Sequence, residues 1–230
     1  MYQIIQQCFT PHNVKILLFS VVINIVSFML VETVRRLFSY PGNFSRKIIH
    51  MIVALWGVWA FFSFENRQGA VILPLLFIVA YIKPIRLAIF RLSDIRGNSH
   101  PGMIYYPIAL VLLFWFCWDY PQRWAGMIGI LTMGFGDPLA AIIGSRYGKQ
   151  KYRFGELQKS YIGSATMFSV CFIITSLIIN AMSGNFYAKE LGVAITISLG
   201  ATFLEAVCGR GLDNLSVPIG SALIYSFFYL

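Results

Sequence analysis

Long runs without a charged side chain dominate the chain. Stretches free of Asp, Glu, Lys and Arg cover residues 16–31, 48–64, 68–82, 97–118, 160–188, 191–204 and 214–230, and residues 124–145 are interrupted only by Asp137. None alternates polar and apolar positions in the manner of a barrel strand, so helices are the structures left to satisfy the backbone in lipid. A crossing takes about 20 mostly apolar residues, somewhat fewer where flanking side chains snorkel. The pattern therefore predicts an all-α, polytopic membrane bundle of about eight transmembrane helices, of which 68–82 and 191–204 are the shortest. The loops are short, no linker is rich in Pro or Ser, and no internal repeat stands out. One domain over residues 1–230 is expected.

The basic residues give a sidedness independent of hydropathy. Fourteen of the 18 fall in alternate loops: Arg35, Arg36, Arg46 and Lys47 after the first span; Lys83, Arg86, Arg91 and Arg96 after the third; Arg146, Lys149, Lys151, Arg153 and Lys159 after the fifth; Arg210 after the seventh. Lys15, Arg67, Arg123 and Lys189 occupy the other side. By the positive-inside rule the four basic loops are cytoplasmic and both termini lie outside. The five cations between Ser145 and Lys159 are denser than orientation requires, and they invite a phosphate-rich ligand.

Composition agrees and removes other classes. Of 230 residues 58% are hydrophobic, 16% aromatic and 12% charged, and mean hydropathy is +0.71. Soluble domains average about 45–50% apolar and about 25% charged. A disordered chain, a disulfide-rich secreted module and a cytosolic enzyme with one added anchor are all excluded. Cys8, Cys117, Cys171 and Cys208 are scattered, two of them deep in apolar runs, which suits packing rather than a zinc site or a disulfide framework. The net charge of +9 is accounted for by topology rather than by nucleic acid. No basic region or small-residue cleavage pattern attends the first apolar stretch, so it is expected to be retained rather than removed as a signal peptide.

Asp137 is the most informative position. A carboxylate inside an apolar span costs roughly 2.5–3.5 kcal/mol if central, and such residues are functional by default. Its setting, Gly136-Asp137-Pro138, predicts a broken helix whose second half starts beside a water-lined cavity, with Asp137 capping it, binding metal, or both. Eleven residues before Lys159, Gly148-Lys149 closes a Gly144-Ser-Arg-Tyr-Gly148-Lys149 run that superficially resembles a P-loop. It is one residue short, has Gln150 where Ser or Thr is required, and lacks a preceding strand, so a Walker fold is rejected. Glycines for close backbone approach, lysines for charge, and free N–H groups where Ser160 opens the next helix remain suited to an anion; tight helix packing explains Gly163-Ser164 equally well. Glu205 and Asp213-Asn214 fall at the same face, where carboxylates and an amide near Asp137 suit Mg²⁺; an ordinary turn and cap is the alternative for Asp213-Asn214. Arg46-Lys47-Ile-Ile-His50 adds cations at a helix end with His50 about one turn inside, either as a general base for an alcohol or bonded to a neighbouring helix. Carboxylates for a metal beside cations for phosphates suit phosphoryl or nucleotidyl transfer.

Five motifs in order, Arg46-Lys47-x-x-His50, the Gly102 to Pro107 entry to the fourth span, Gly136-Asp137-x-x-Ala140-x-x-x-Gly144-x-x-x-Gly148, Lys159-Ser160-x-x-Gly163-Ser164 and Asp213-Asn214-Leu-Ser-Val-Pro218, run through most of the chain after Ser45. Together they resemble the polyprenol kinase family of membrane lipid kinases, which includes phytol kinase, dolichol kinase and a CTP-dependent diacylglycerol kinase. The resemblance implies a multi-helix enzyme that moves the γ-phosphoryl group of a nucleotide, CTP favoured, onto the hydroxyl of an isoprenoid alcohol or diacylglycerol with Mg²⁺ or another divalent cation. It implies a metal site at Asp137 and Asp213 with Asn214 beside them, phosphate contacts by Lys149 and Lys159, and Arg46, Lys47 and His50 lining the headgroup or nucleotide end. On their own chemistry Glu205 joins the metal ligands, and Arg146 and Ser160 join the nucleotide or phosphate surface shared with Arg46, Lys47, Lys149 and Asn214, with Asp137, His50 and Lys159 as the catalytic set. Ile162 stands where dolichol kinases usually carry an acidic residue, and the chain is short for one, which tilts the resemblance towards the phytol kinase-like branch. The expected protein is a multi-pass kinase whose active site faces the cytoplasm. A phosphatidate cytidylyltransferase-like enzyme and a transporter with a broken-helix ion site are the alternatives.

Overall fold

The computed structural model describes residues 8–81, 102–154, 157–184, 187–209 and 211–229. Ten α-helices are present among them: α1 (Pro11–Leu37), α2 (Gly42–Ser63), the single turn α3 (Arg67–Ala70), α4 (Ile72–Ala80), α5 (Gly102–Phe116), α6 (Arg123–Leu131), α7 (Asp137–Tyr147), α8 (Tyr161–Ser183), α9 (Ala188–Val207) and α10 (Asp213–Tyr229). A π-helical turn, Thr132–Gly136, joins α6 to α7. Strands β1 (Lys151–Phe154) and β2 (Leu157–Ser160) form an antiparallel hairpin before α8. Lys83, Arg86, Arg91, Arg96 and Arg210, counted in the charge asymmetry, lie outside the described residues.

Every apolar stretch seen in the sequence overlaps a helix. Among the described residues five helical stretches are long and apolar enough to cross a membrane: Pro11–Leu37, Phe44–Ser63, Arg123–Tyr147, Tyr161–Ser183 and Ala188–Val207. Arg67–Ala80 and Met103–Phe116 are shorter apolar helices. At 1.5 Å per residue the 15 residues of α5 extend about 22 Å, less than the roughly 30 Å of a hydrocarbon core. The protein is thus a mostly helical membrane protein, with five candidate crossings among the described residues.

Two expectations change. The chain is not purely helical, because the period-2 sequence Lys-Tyr-Arg-Phe and its partner Leu-Gln-Lys-Ser pair as strands. Nor does the helix break at Asp137. Gly136 is in the helical region at φ −61°, ψ −58°, and the π turn runs directly into α7, with Pro138 in its first turn where a missing N–H costs nothing. Gly136 stands at the N-cap of α7, with Asp137 as the first helical residue, and no side chain caps that end.

The stretch 123–147 is the axis of the bundle, with 61% of its most apolar window buried against 6% for α1. Ala125 to Ile130 are buried consecutively, as expected for a helix enclosed all round. Close approach requires glycine at two points: a Cβ on Gly129 would sit 2.4 Å from the Pro218 carbonyl oxygen, and one on Gly134 would sit 2.1 Å from the Ala54 Cβ. These contacts bring α10 and α2 against the axis. Thr132 hydroxyl bonds to the Ile128 carbonyl at 2.8 Å and meets the Ser221 hydroxyl at 3.2 Å, satisfying a buried polar pair between α10 and the π turn. At the end remote from Asp137, Thr10, Asn13, Glu65 and Asn66 tie α1 to the α2–α3 junction, while Arg67 reaches the Trp115 carbonyl and Asp119.

Candidate active site

The site forms at one end of the bundle, where five separate parts of the chain meet. The N-terminal end of α2 supplies Lys47 and His50, the start of α7 supplies Asp137, β2 supplies Lys159, the last turns of α9 supply Glu205, and the first residue of α10 supplies Asp213. The Asp137 carboxylate acts electrostatically on all five of the others. Arg46 in turn acts on Lys47 and His50. Residues of α2, α7 and α10, the outermost more than 150 positions apart in sequence, therefore share one field.

The firmest contact is the ion pair between Lys159 Nζ and Glu205 Oε1. Glu205 is buried, with 6% of its side chain exposed, and Lys159 is 24% exposed. Burial works against the ammonium, but the carboxylate of Glu205, then Asp213 and Asp137, outweigh it and hold Lys159 above the usual lysine range. The lysine therefore stays protonated to higher pH than a free one, in the field of Asp213 and Asp137. Asp213 accepts a hydrogen bond from the Asn214 amide at 3.0 Å, and Asn214 is buried.

His50 stacks on Tyr106 from α5 at 4.9 Å between centroids and 17° between planes, and the Tyr106 hydroxyl lies 3.5 Å from the Ile130 carbonyl. Tyr106 is buried. Sequence reasoning passed over it, although it lies inside the Gly102 to Pro107 motif; an aromatic in an apolar span carries no signal of what it stacks on.

Ser160 and the glycines have a structural function. The Ser160 hydroxyl accepts from the Gly163 amide at 3.0 Å, capping α8, and donates to the Gly144 carbonyl at 3.4 Å. A Cβ on Gly144 would stand 2.7 Å from the Ser160 oxygen, and one on Gly148 2.4 Å from the Ser160 Cβ. The Gly144-x-x-x-Gly148 spacing thus closes around a serine side chain and lets α7 and α8 pack. Arg146 and Lys149 are exposed beyond this contact, Arg146 lying 5.5 Å over the Tyr147 ring.

A resident metal cage is not preassembled. Among the described residues no three His, Cys, Asp or Glu side chains converge tightly enough to hold an ion, and Glu205 is engaged by Lys159. Asp137 and Asp213 nevertheless fit Mg²⁺ arriving with a nucleotide, since that ion keeps several waters and takes only one or two carboxylates beside the phosphates.

The chain is 31% identical over 199 residues to the phytol kinase of Synechocystis sp., covering 84% of this chain and 82% of that one. The chain belongs to the polyprenol kinase family. It is also 33% identical over 213 residues to a probable chloroplastic phytol kinase of Oryza sativa subsp. japonica, of which it spans 65%, and 31% identical over 149 residues to the dolichol kinase of Saccharomyces cerevisiae, of which it spans 27%. No family model matches the chain. No solved structure matches it either. As a polyprenol kinase family member the protein is a lipid-alcohol kinase, a phosphotransferase with an alcohol group as acceptor.

Proposed function

We propose that the protein phosphorylates an isoprenoid alcohol such as phytol, with diacylglycerol as the alternative acceptor, using CTP in preference to other nucleotides, and that residues 1–230 form one catalytic domain. The single observation that carries this is the shared field of Asp137, Asp213, Lys159, Lys47 and His50 at one end of the bundle. Phosphoryl transfer needs little covalent help from a protein; it needs charges held in place. Lys159, tethered by Glu205, and Lys47 neutralise the phosphate chain, and Arg46 extends that surface. Asp137 and Asp213 would hold a divalent cation, which when bound draws charge from the β- and γ-phosphates. His50, fixed against Tyr106, accepts the proton of the lipid hydroxyl. The exposed Arg146 and Lys149 attract nucleotide rather than contact the transferred group, and Asn214 orients Asp213.

The same end carries Arg35, Arg36, Arg46, Lys47 and the cations from Arg146 to Lys159, which supports a cytoplasmic site, both termini outside and eight crossings, α3–α4, α5 and α10 serving as the shorter ones. Labelled CTP or ATP, a panel of lipid alcohols and the full-length protein in detergent test the function. Phospholipid with nucleoside diphosphate is expected. Release of pyrophosphate would make it a nucleotidyltransferase. Asp137→Asn should lower turnover at least about a hundredfold with unchanged expression and helix content; near-normal turnover would remove Asp137 from the reaction.

A further inference from the structure

Lys159 lies on a strand, and a two-stranded hairpin standing alone is marginal in water. What holds this one is therefore what aims the lysine. In the antiparallel register Tyr152 is directly opposite Lys159, and Phe154 opposite Leu157. Directly opposed residues share a face of the ladder, so Tyr152, Phe154, Leu157 and Lys159 lie on one side, with Lys151, Arg153, Gln158 and Ser160 on the other. Three contacts fasten the hairpin to the bundle. The Tyr152 hydroxyl is hydrogen-bonded to the Ser164 hydroxyl on α8 at 2.6 Å. The Tyr152 ring packs on Tyr161 at 5.1 Å. On β2, Leu157 presses on the loop before α10, where a Cβ on Gly209 would meet its Cδ2 at 2.4 Å.

We infer that Tyr152 is a positioning residue that acts through Lys159: its bond to Ser164 locks the strand pair so that the ammonium stays on Glu205 rather than swinging into solvent. Lys159 sits in the strand residue just before the Ser160 cap, so rotation of the hairpin about that cap is the motion left to it, and Tyr152, across the ladder from Lys159, is the group that stops this rotation. The inference rests on the role given to Lys159 above.

The test uses the full-length enzyme. Tyr152→Phe keeps the ring on Tyr161 and removes the hydroxyl; Ser164→Ala removes the same bond from the other side. Each is expected to lower turnover about two- to tenfold. Each should also raise KM for the nucleotide, because Lys159 then spends time away from the phosphates it neutralises; a smaller folded fraction would lower the rate and leave KM unchanged. The double variant should be no worse than either single one, and hydrogen exchange of the hairpin amides should quicken in both. An unchanged KM for the nucleotide, unchanged exchange, or effects that multiply in the double variant would overturn the inference. Lys159→Met separates the two levels: lost turnover with an unmoved Tyr152→Phe KM sinks only the positioning role, whereas retained turnover sinks the assignment of Lys159 itself.

Discussion

Replacing Glu205 by Gln tests the electrostatics of the site with little change of shape. The amide keeps the volume and still offers an oxygen to Lys159, so the loss is that of charge. Removing one partner of a buried pair costs about 3–5 kcal/mol when the other charge is stranded. Here the ammonium is 24% exposed and keeps the fields of Asp213 and Asp137, so we expect about 2 kcal/mol, near the roughly 1.5–3 kcal/mol of a charge-assisted hydrogen bond. In a chain of 230 residues that is a fall in Tm of about 4–8 °C. The sign of the pH effect follows from the direction of the shift. Lys159 is held above the ordinary lysine range chiefly by Glu205, so the wild-type cation persists below that raised value and is lost only as pH climbs through it. In Glu205→Gln that support is lost, the value drops, and the alkaline decline of kinase rate moves down with it. The assay is phosphate transfer from labelled nucleotide to a lipid alcohol across pH, beside a thermal melt. A rate profile superimposable on wild type with an unchanged Tm would show that Glu205 does not hold the lysine.

Other outcomes follow from the same geometry. Asp213→Asn should raise the Mg²⁺ concentration for half-maximal rate at least about tenfold, with chelator-treated enzyme recovering on Mg²⁺ addition; an unmoved Mg²⁺ curve would exclude this carboxylate as a ligand. Gly134→Ala should destabilise by about 1–3 kcal/mol, because the new methyl has the Ala54 Cβ 2.1 Å away; a melting midpoint equal to wild type would mean that α2 shifts freely.

The positions of the helices were legible because burial in lipid leaves long uncharged runs, and each run overlaps a helix. The shorter lengths of α4 and α5 were not, since hydropathy marks where charge is absent, not where hydrogen bonding stops. Asp137 stood out by its cost in an apolar span. The local geometry around it did not: Gly136 and Pro138 suggested a break, and the neighbouring helices α2 and α8 instead hold the chain helical through a π turn. The hairpin was legible in principle from the alternation in Lys151 to Phe154, but four-residue strands between two spans are easily taken for a loop. Gly144 and Gly148 invited a phosphate-cradle reading because glycine permits any close neighbour; only the coordinates identify that neighbour as Ser160. The pairing of Lys159 with Glu205 lies 46 residues apart and leaves no periodic trace.

The π turn from Thr132 to Gly136 has a consequence for how this segment tolerates change. Each residue of a helix advances it by about 100°, and a π turn holds one residue beyond the regular count. Because the turn takes up its extra residue locally, deleting one residue there would restore a regular helix with Asp137 in nearly the same phase, whereas deleting one from the regular turns of α6 would rotate Asp137 by about 100° away from its partners. Side chains in this stretch are open to replacement wherever room allows, and the turn is the one place in it where the residue count can give.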